Sequence, residues 1–379
     1  MNKLRWGMIG GGEGSQIGDT HRLAAGLDGH FALTAGALDI DPDRGRAFGA
    51  SLGIAPDRAY GSWREMLDAE GERSDRLDLV TIATPNNTHY EIARAFLDAG
   101  FAILCEKPMT LAVEEAADLI ALSRVRRVLC AVNYGYSGYP LIRHARAMVK
   151  EGAIGKVRVV TAEFAHGGHA DAKSAEAPGT KWRYDPALAG DSAVLTDAGS
   201  HALFLSSFIL DQKIQQVNAV FDRCMPGREL EDDALLALRF SEGAVGRLWT
   251  SSIAIGQMHG LTIRVFGETG GLSWSQEQPN QLFHSPLGQP TQILERGTPY
   301  LAADAQESSR VSGGHAEGFV EAMANLYADI AKVLSGGPDA EAARRRLPKV
   351  EDGFDGVAVV AAAVASARDG TVWTEVETA

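Results

Sequence analysis

Lys107 is the first residue of this chain with a claim to chemistry. It sits in Ala102-Ile103-Leu104-Cys105-Glu106-Lys107-Pro108, where an apolar run ends in a carboxylate, an ammonium and a proline. The run that follows Gly100 is too short for a helix and reads as a buried strand. In a parallel sheet, residues just past a strand's C-terminal end project into the ligand crevice. A Lys there, followed by a residue that fixes the backbone, can be held as a reactive group; a solvated turn Lys is the plain alternative. Further along, Asp197 and His201 lie four apart in Ser192 to Leu210, which reads as a helix, so their side chains share a face. An acid beside an imidazole orients it and favours its protonated form, which suits a group that takes a proton from a hydroxyl. The same spacing also serves a structural contact between neighbouring turns. His166 and His169 could join His201 as metal ligands, but neither their spacing nor a matching Cys/Glu set supports a metal. A serine hydrolase would need a Gly-x-Ser-x-Gly elbow, which the chain lacks.

The elements ahead of Lys107 alternate. Leu4 to Ile9 reads as a strand and runs into Gly10-Gly11-Gly12-Glu13-Gly14-Ser15-Gln16-Ile17-Gly18, with Asp19 or Thr20 placed to cap a helix that begins at His21. Glycines there let backbone amides approach a pyrophosphate on the positive end of the helix. A second strand, Phe31 to Leu38, ends in Asp39, where a dinucleotide fingerprint places an acid for the ribose 2′-hydroxyl. A carboxylate at that point repels a 2′-phosphate, so NAD is favoured over NADP. Asp39 also suits a turn, in Asp39-Ile40-Asp41-Pro42. Helices are expected over Asp43 to Leu52, Ser62 to Ala69, Tyr90 to Ala99 and Val113 to Arg124. Strands are expected over Leu77 to Ala83 and Val128 to Val132. This alternation predicts a doubly wound parallel sheet with the clusters at Gly10, Thr84 and Glu106 along one edge.

After Asn133 the alternation stops, which puts a boundary between a nucleotide-binding domain, 1–132, and a second domain, 133–379. Pro140 to Glu151 reads as a helix and Val157 to Phe164 as a strand. The polar loop from His166 to Gly190 carries Trp182-Arg183-Tyr184-Asp185-Pro186, and a loop this long is more often functional than idle. Asp232 to Phe240, Ala244 to Ile255 and Leu261 to Phe266 have period two and predict an antiparallel meander, covered on one face by the helix after Asp191. Residues 275–310 are left as strands and loops. His315 to Leu334 and Phe354 to Arg368 read as helices, and Val372 to Val376 as a last strand.

Composition narrows the class. The chain has 379 residues, 45% apolar and 22% charged, as expected of a folded protein of two domains. A net charge of −13 argues against nucleic acid or an anionic membrane as partner. Three cysteines without CxxC spacing, together with an N-terminus that lacks a signal-peptide pattern, lead to the expectation of a cytoplasmic protein. No run approaches the ~18 apolar residues of a membrane span.

Taken in order, the glycine loop, Thr84-Pro85-Asn86 with His89, Glu106-Lys107-Pro108, Trp182-Arg183-Tyr184-Asp185-Pro186 and Asp197-x-Gly199-x-His201 resemble the Gfo/Idh/MocA oxidoreductases over nearly the whole chain. The resemblance implies an N-terminal Rossmann domain and a C-terminal α+β domain with an open, mainly antiparallel sheet. It also implies NAD(P)-dependent hydride transfer at a secondary alcohol of a sugar, cyclitol or derivative. Lys107, Asp197 and His201 would form the catalytic group. His201 would act as acid/base, Lys107 would polarise the oxygen, and Asp197 would tune the pair. In the family the Lys–Pro peptide is often cis. Gly10, Gly12, Gly14, Ser15, Ile17, Asp39, Thr84, Pro85, Asn86, His89, Glu106 and Lys107 are the expected cofactor contacts. Asn133, Tyr136, His166, Trp182 and Arg183 are placed to meet substrate hydroxyls beside Lys107, Asp197 and His201. Two positions depart from the family: Ser15 stands where the third glycine would fall, and Phe204 stands three residues past His201 where an Asp is common. The open sheet suggests a homodimer or homotetramer. A non-catalytic NAD(P)-binding sensor, or an oxidoreductase that recycles a tightly held cofactor between two sugars, are the rival readings.

Overall fold

The computed structural model describes residues 3–171, 173 and 177–379. Predicted features at residues 1–2, and the part of the long polar loop at 172 and 174–176, lie outside them. The chain divides into two packed units. The first comprises 1–110, 114–135 and 319–353; the second comprises 111–113, 136–318 and 354–379. A single cut at 132/133 therefore does not describe the packing, because the segment from Phe319 to Gly353 clusters with the first unit.

The first unit is built on a parallel sheet of β1 (Leu4–Gly10), β2 (Phe31–Ala37), β3 (Leu79–Ala83), β4 (Ile103–Cys105) and β5 (Cys130–Val132). Their order is β2-β1-β3-β4-β5, so the winding reverses between β1 and β3. Such a reversal opens a crevice at the strands' C-terminal ends. Strand β3 is buried along its whole length, as a strand covered on both faces must be. Connecting helices are α1 (Gln16–Leu27), α2 (Pro42–Ser51), α3 (Trp63–Glu72), α4 (His89–Asp98) and α5 (Val113–Arg126). Helix α1 starts earlier than the expected cap at Asp19 or Thr20: Ser15 is the N-cap, its Oγ accepting from the Gly18 amide at 3.2 Å.

The returning helix Phe319–Ser335 explains the division of the chain. Met323, Leu326, Tyr327 and Ile330 share one buried cluster with Trp6, Met8, Leu79 and Leu104. At ~1.5–3 kcal/mol for each large apolar side chain removed from water, this helix is part of the sheet's cover. Arg346, from the short helix after it, pairs with Asp329 at 2.6 Å, both nearly fully buried.

The second unit holds a nine-stranded sheet of β6 (Val157–Ala165), β7 (Ile214–Asp222), β8 (Asp233–Phe240), β9 (Val245–Ser251), β10 (Thr262–Gly267), β11 (Gly270–Ser275), β12 (Gln281–Pro286), β13 (Gln292–Glu295) and β14 (Thr374–Glu375). Its order is β13-β12-β11-β10-β6-β9-β8-β7-β14, antiparallel except for β6 beside β9. The unassigned stretch after Ser275 supplies the β12–β13 hairpin at the edge. Burial alternates along β8, the pattern of a sheet covered on one face. Helices Pro140–Lys150 and Ser200–Leu210 lie on the covered side and pack on each other. The expected long helix from Ser192 instead opens as a π-turn over Leu195–Gly199 before becoming α-helical.

Candidate active site

At the C-terminal edge of the first sheet, Gly10, Gly11 and Gly14 have φ of 75°, 66° and 79°, values that only glycine adopts without cost. The loop is also packed too closely for side chains. A Cβ on Gly10 would fall 2.4 Å from the Ala83 carbonyl oxygen, and one on Gly12 would fall 2.7 Å from that of Leu38 and 3.2 Å from Asp39 Oδ2. Gly14 faces open space. Gly18 has the close packing expected of a third glycine. A Cβ there would meet the Gly11 oxygen at 2.4 Å, so α1 can approach β1 only with glycine at both positions. Ser15 caps the helix, and Ile17 packs its side chain partly against the sheet core.

Asp39 follows β2 and lies beside this loop. Arg44 donates to both carboxylate oxygens at 2.6 and 3.0 Å, and the Asp41 amide donates at 2.9 Å. The Arg44 hydrogen bonds, with that amide, hold the Asp39 pKa below the usual carboxylate range. The acid and the turn residue are thus the same side chain.

Thr84, Pro85 and Asn86 follow β3, with Asn86 buried at the start of a short turn and Thr88 Oγ1 donating to Thr84 Oγ1 at 2.7 Å. His89, an expected cofactor contact, lies between two loops. Its ring is fully buried, with Nδ1 2.7 Å from the Pro108 oxygen and Nε2 2.8 Å from the Thr84 oxygen. Pro108 and Thr84 each bring a carbonyl oxygen to the ring, so His89 ties the Thr84 loop to the turn after β4. Burial lowers its pKa.

Glu106 and Lys107 begin that turn, and the Lys107–Pro108 peptide is cis. Glu106 accepts from Asn133 Nδ2 at 2.5 Å, lies 3.0 Å from His21 Nε2 and receives the Lys107 amide at 3.2 Å. Burial alone would raise its pKa, but the hydrogen bond and charge of His21, the bond from Asn133 and the Lys107 charge bring it down to about 2. Glu106 is therefore an ionised, acceptor-only carboxylate at working pH. Lys107 is half-buried beside it. Asn133, at the end of β5, is 3% exposed.

In the second unit, Asp197 lies in the π-turn and His201 in the helix that follows. π-Turns inserted into α-helices are frequent at functional sites. Glu231, buried just before β8, accepts from Ser192 Oγ at 2.7 Å and from the amides of Ala193 and Leu195 at 3.0 and 3.1 Å, fixing the start of this segment. Gly199 lets neighbouring side chains close on the backbone: a Cβ there would lie 2.7 Å from Leu195 Cδ1 and 3.0 Å from Thr250 Cγ2. Arg183 Nε donates to Asp197 Oδ2 at 2.9 Å, and its guanidinium lies over the Trp182 ring at 4.5 Å. His201 packs edge-on against Tyr136 at 4.7 Å between centroids. Phe204 is buried against Phe208, so this position serves the core.

His166 stacks on His259 at 5.5 Å and meets His169 edge-on at 5.1 Å. His259 has a φ of 53°, a strained value for a non-glycine residue, and no sequence signal marked it. His169 Nδ1 lies 2.9 Å from the Tyr184 hydroxyl, which lies 2.7 Å from Ser252 Oγ. Burial lowers the pKa of His166 and, with the neighbouring His166, takes that of His169 down to about 4. Both rings are neutral near pH 7. Among the described residues, no three His, Cys, Asp or Glu side chains are grouped to hold a metal ion, and none of the helices is long and apolar enough to cross a membrane.

A glycine cradle, a helix N-terminus and an acid after β2 fit a dinucleotide: Gly10, Gly12, Gly14 and Ser15 would hold the pyrophosphate and Asp39 the ribose. This is the site of a nucleotide-dependent oxidoreductase. A family profile described as an oxidoreductase family with NAD-binding Rossmann fold matches residues 4–134, and the GFO/IDH/MocA C-terminal domain matches 142–273. The chain belongs to the Gfo/Idh/MocA oxidoreductases, with an NAD-binding Rossmann fold. It is 39% identical to the uncharacterized oxidoreductase YfiI of Bacillus subtilis (strain 168), over 98% of this chain and 96% of that one. An inositol dehydrogenase homologue from Azotobacter vinelandii complexed with NAD+ superposes with a TM-score of 0.95 at 43% identity, covering 99% of this chain and 97% of that one. A structure of an inositol dehydrogenase homologue from the same organism with NADH and myo-inositol gives 0.92 at 41%, covering 99% and 98%.

Proposed function

We propose that the chain is an NAD-dependent dehydrogenase that moves a hydride between nicotinamide and a secondary alcohol or ketone of a sugar, cyclitol or sugar derivative. The observation that carries this reading is the Glu106-Lys107-Pro108 turn at the end of β4, in a unit whose glycine loop fits a dinucleotide, in a chain that also has the Asp197-x-Gly199-x-His201 segment. Similarity to a structure holding NADH and myo-inositol supports the substrate class. So does the second unit's shell of neutral imidazoles, Tyr184 and Arg183, since neutral His both donates to and accepts from hydroxyl groups.

Bound nicotinamide supplies the hydride acceptor, which leaves proton transfer and electrostatics to the protein. In this reading His201 takes the hydroxyl proton, Lys107 stabilises the oxygen as negative charge develops, and Asp197, with Arg183, tunes His201. Asn133, Tyr136, His166, Trp182 and Arg183 orient the polyol. The enzyme is cytoplasmic and homo-oligomeric in this reading. Val220, Leu235 and Trp249 form one cross-strand row on the outer face of the sheet, and Val220 and Leu235 are exposed. Light scattering that gave a monomer would remove the oligomer.

The deciding assay follows reduced-nicotinamide absorbance with a panel of sugars, cyclitols and their keto forms. NAD and NADP are run side by side, with Lys107→Ala as control. Turnover that prefers NAD and disappears in the variant is expected. Saturable NADH binding without turnover on any substrate would overturn the dehydrogenase reading.

A further inference from the structure

Five buried side chains of the first unit form a hydrogen-bond chain that ends at the catalytic turn. Trp6 Nε1 donates to Thr81 Oγ1 at 2.9 Å; Thr81 Oγ1 lies 3.0 Å from the Tyr327 hydroxyl; that hydroxyl lies 2.8 Å from His21 Nδ1; and His21 Nε2 lies 3.0 Å from Glu106 Oε1. The donor directions follow from the two ends. Indole can only donate and the ionised Glu106 can only accept. One assignment then uses every donor: Trp6 to Thr81, Thr81 to Tyr327, Tyr327 to His21 Nδ1, and His21 Nε2–H to Glu106. Buried networks of this kind are stabilising only when complete.

We infer that His21 is a positioning residue for the reaction: its Nε2–H keeps Glu106 an acceptor, which fixes the Asn133 amide and the backbone of Lys107. Asn133 must then turn its Nδ2 toward Glu106 and its Oδ1 away. Because His21 lies on α1, one turn beyond Gly18, the helix that receives the pyrophosphate is tied to the turn that carries Lys107. His21, Lys107, His89, Cys105 and Tyr327 are the titratable groups that act on Glu106 or feel its charge. Of these, His21 is the one that donates a side-chain hydrogen bond to it. Without that donor, burial raises the Glu106 pKa toward the assay range. A protonated Glu106 becomes a donor, and one of the bonds it accepted is lost.

The test is the NADH dissociation constant of the free enzyme by fluorescence titration from pH 5 to pH 8, with kcat measured alongside. The kcat arm rests on the dehydrogenase reading, whereas the binding arm does not. Wild type is expected to bind with a flat profile. His21→Leu is expected to weaken NADH about tenfold at the acid end and to recover toward pH 8, with kcat falling over the same range. His21→Gln, which restores an N–H near the Nε2 position, should flatten the profile again. Glu106→Gln, a fixed mimic of the protonated state, should be weak and flat, and it decides the matter if His21→Leu does not fold. A His21→Leu profile as flat as wild type, whatever its melting temperature, would overturn the inference, as would Glu106→Gln binding NADH like wild type.

Discussion

In the first unit, Trp6, Thr81, Tyr327, His21 and Glu106 are buried and their hydrogen bonds close on one another. In the second, Arg183 and Asp197 keep about a third of their side-chain surface, at 30% and 34%, and His166 and His169 are only half-buried. In the proposed function the contrast follows from what each region would recognise. A dinucleotide is always the same molecule, so its edge can be fixed by a dry network in which each proton has one place. A polyol presents hydroxyl groups in varied arrangements, and half-exposed neutral imidazoles can exchange donor and acceptor roles at little cost. On that reading, rigid polar burial would suit the constant ligand and a half-exposed, adjustable shell the variable one.

The sharpest way to break this contrast is to remove one proposed catalytic group from each side. Lys107→Ala and His201→Ala are each expected to lower kcat by about 10²–10⁴, the range for a lost acid–base or charge-stabilising group. NADH affinity should be unchanged in His201→Ala and weakened in Lys107→Ala. Stopped-flow turnover with parallel NADH titration separates the two, and equal effects on NADH affinity would erase the distinction between the sides. Next in size, Gly12→Ala pushes a methyl to within 2.7 Å of the Leu38 oxygen. Overpacking of ~1–3 kcal/mol corresponds to roughly 5–150-fold weaker NADH binding, measured by titration, with the second unit's melting behaviour intact.

The C-terminal edge of the first sheet was legible in the sequence because its signals are local. Strand ends, Gly10 and Gly12, Asp39 and Glu106-Lys107-Pro108 each show in a few consecutive residues. The resemblance drew on the same short motifs. What stayed hidden depends on long-range packing. Gly18 reads as an ordinary helix residue until β1 is seen against α1, and Tyr327 lies far along the chain on a helix that returns to the first sheet. Glu231 sits at a strand entrance, with nothing nearby to show that it caps the segment of Asp197. The π-turn was missed because an apolar stretch with one Gly fits an ordinary helix equally well. The place of His89 between the Thr84 loop and the turn after β4 likewise shows only once the two loops are packed together.

A smaller effect tests the ribose end of the cofactor edge. Asp39→Ser removes the carboxylate that Arg44 grips at 2.6 and 3.0 Å, leaving a guanidinium free to meet a 2′-phosphate. The NAD:NADP ratio of kcat/KM is expected to fall about tenfold, worth ~1.4 kcal/mol. An unchanged ratio would show that Asp39 is only the turn residue.

The smallest effect belongs to the second unit and comes from acid. Burial, helped by His166, holds His169 at about 4, below the ~6.5 of a free imidazole. Its folded state therefore binds fewer protons than its unfolded state between those values. By linkage, its contribution to stability is present above pH 6.5 and is lost as the pH falls from 6.5 toward 4. Partial exposure of the ring keeps the loss modest. The melting temperature should decline across that window, and His169→Asn should flatten part of the decline while leaving NADH binding untouched. The converse, a melting profile unchanged by His169→Asn, would mean that the imidazole cluster is as wet as free solution and exerts no electrostatic hold on the loop that carries Arg183.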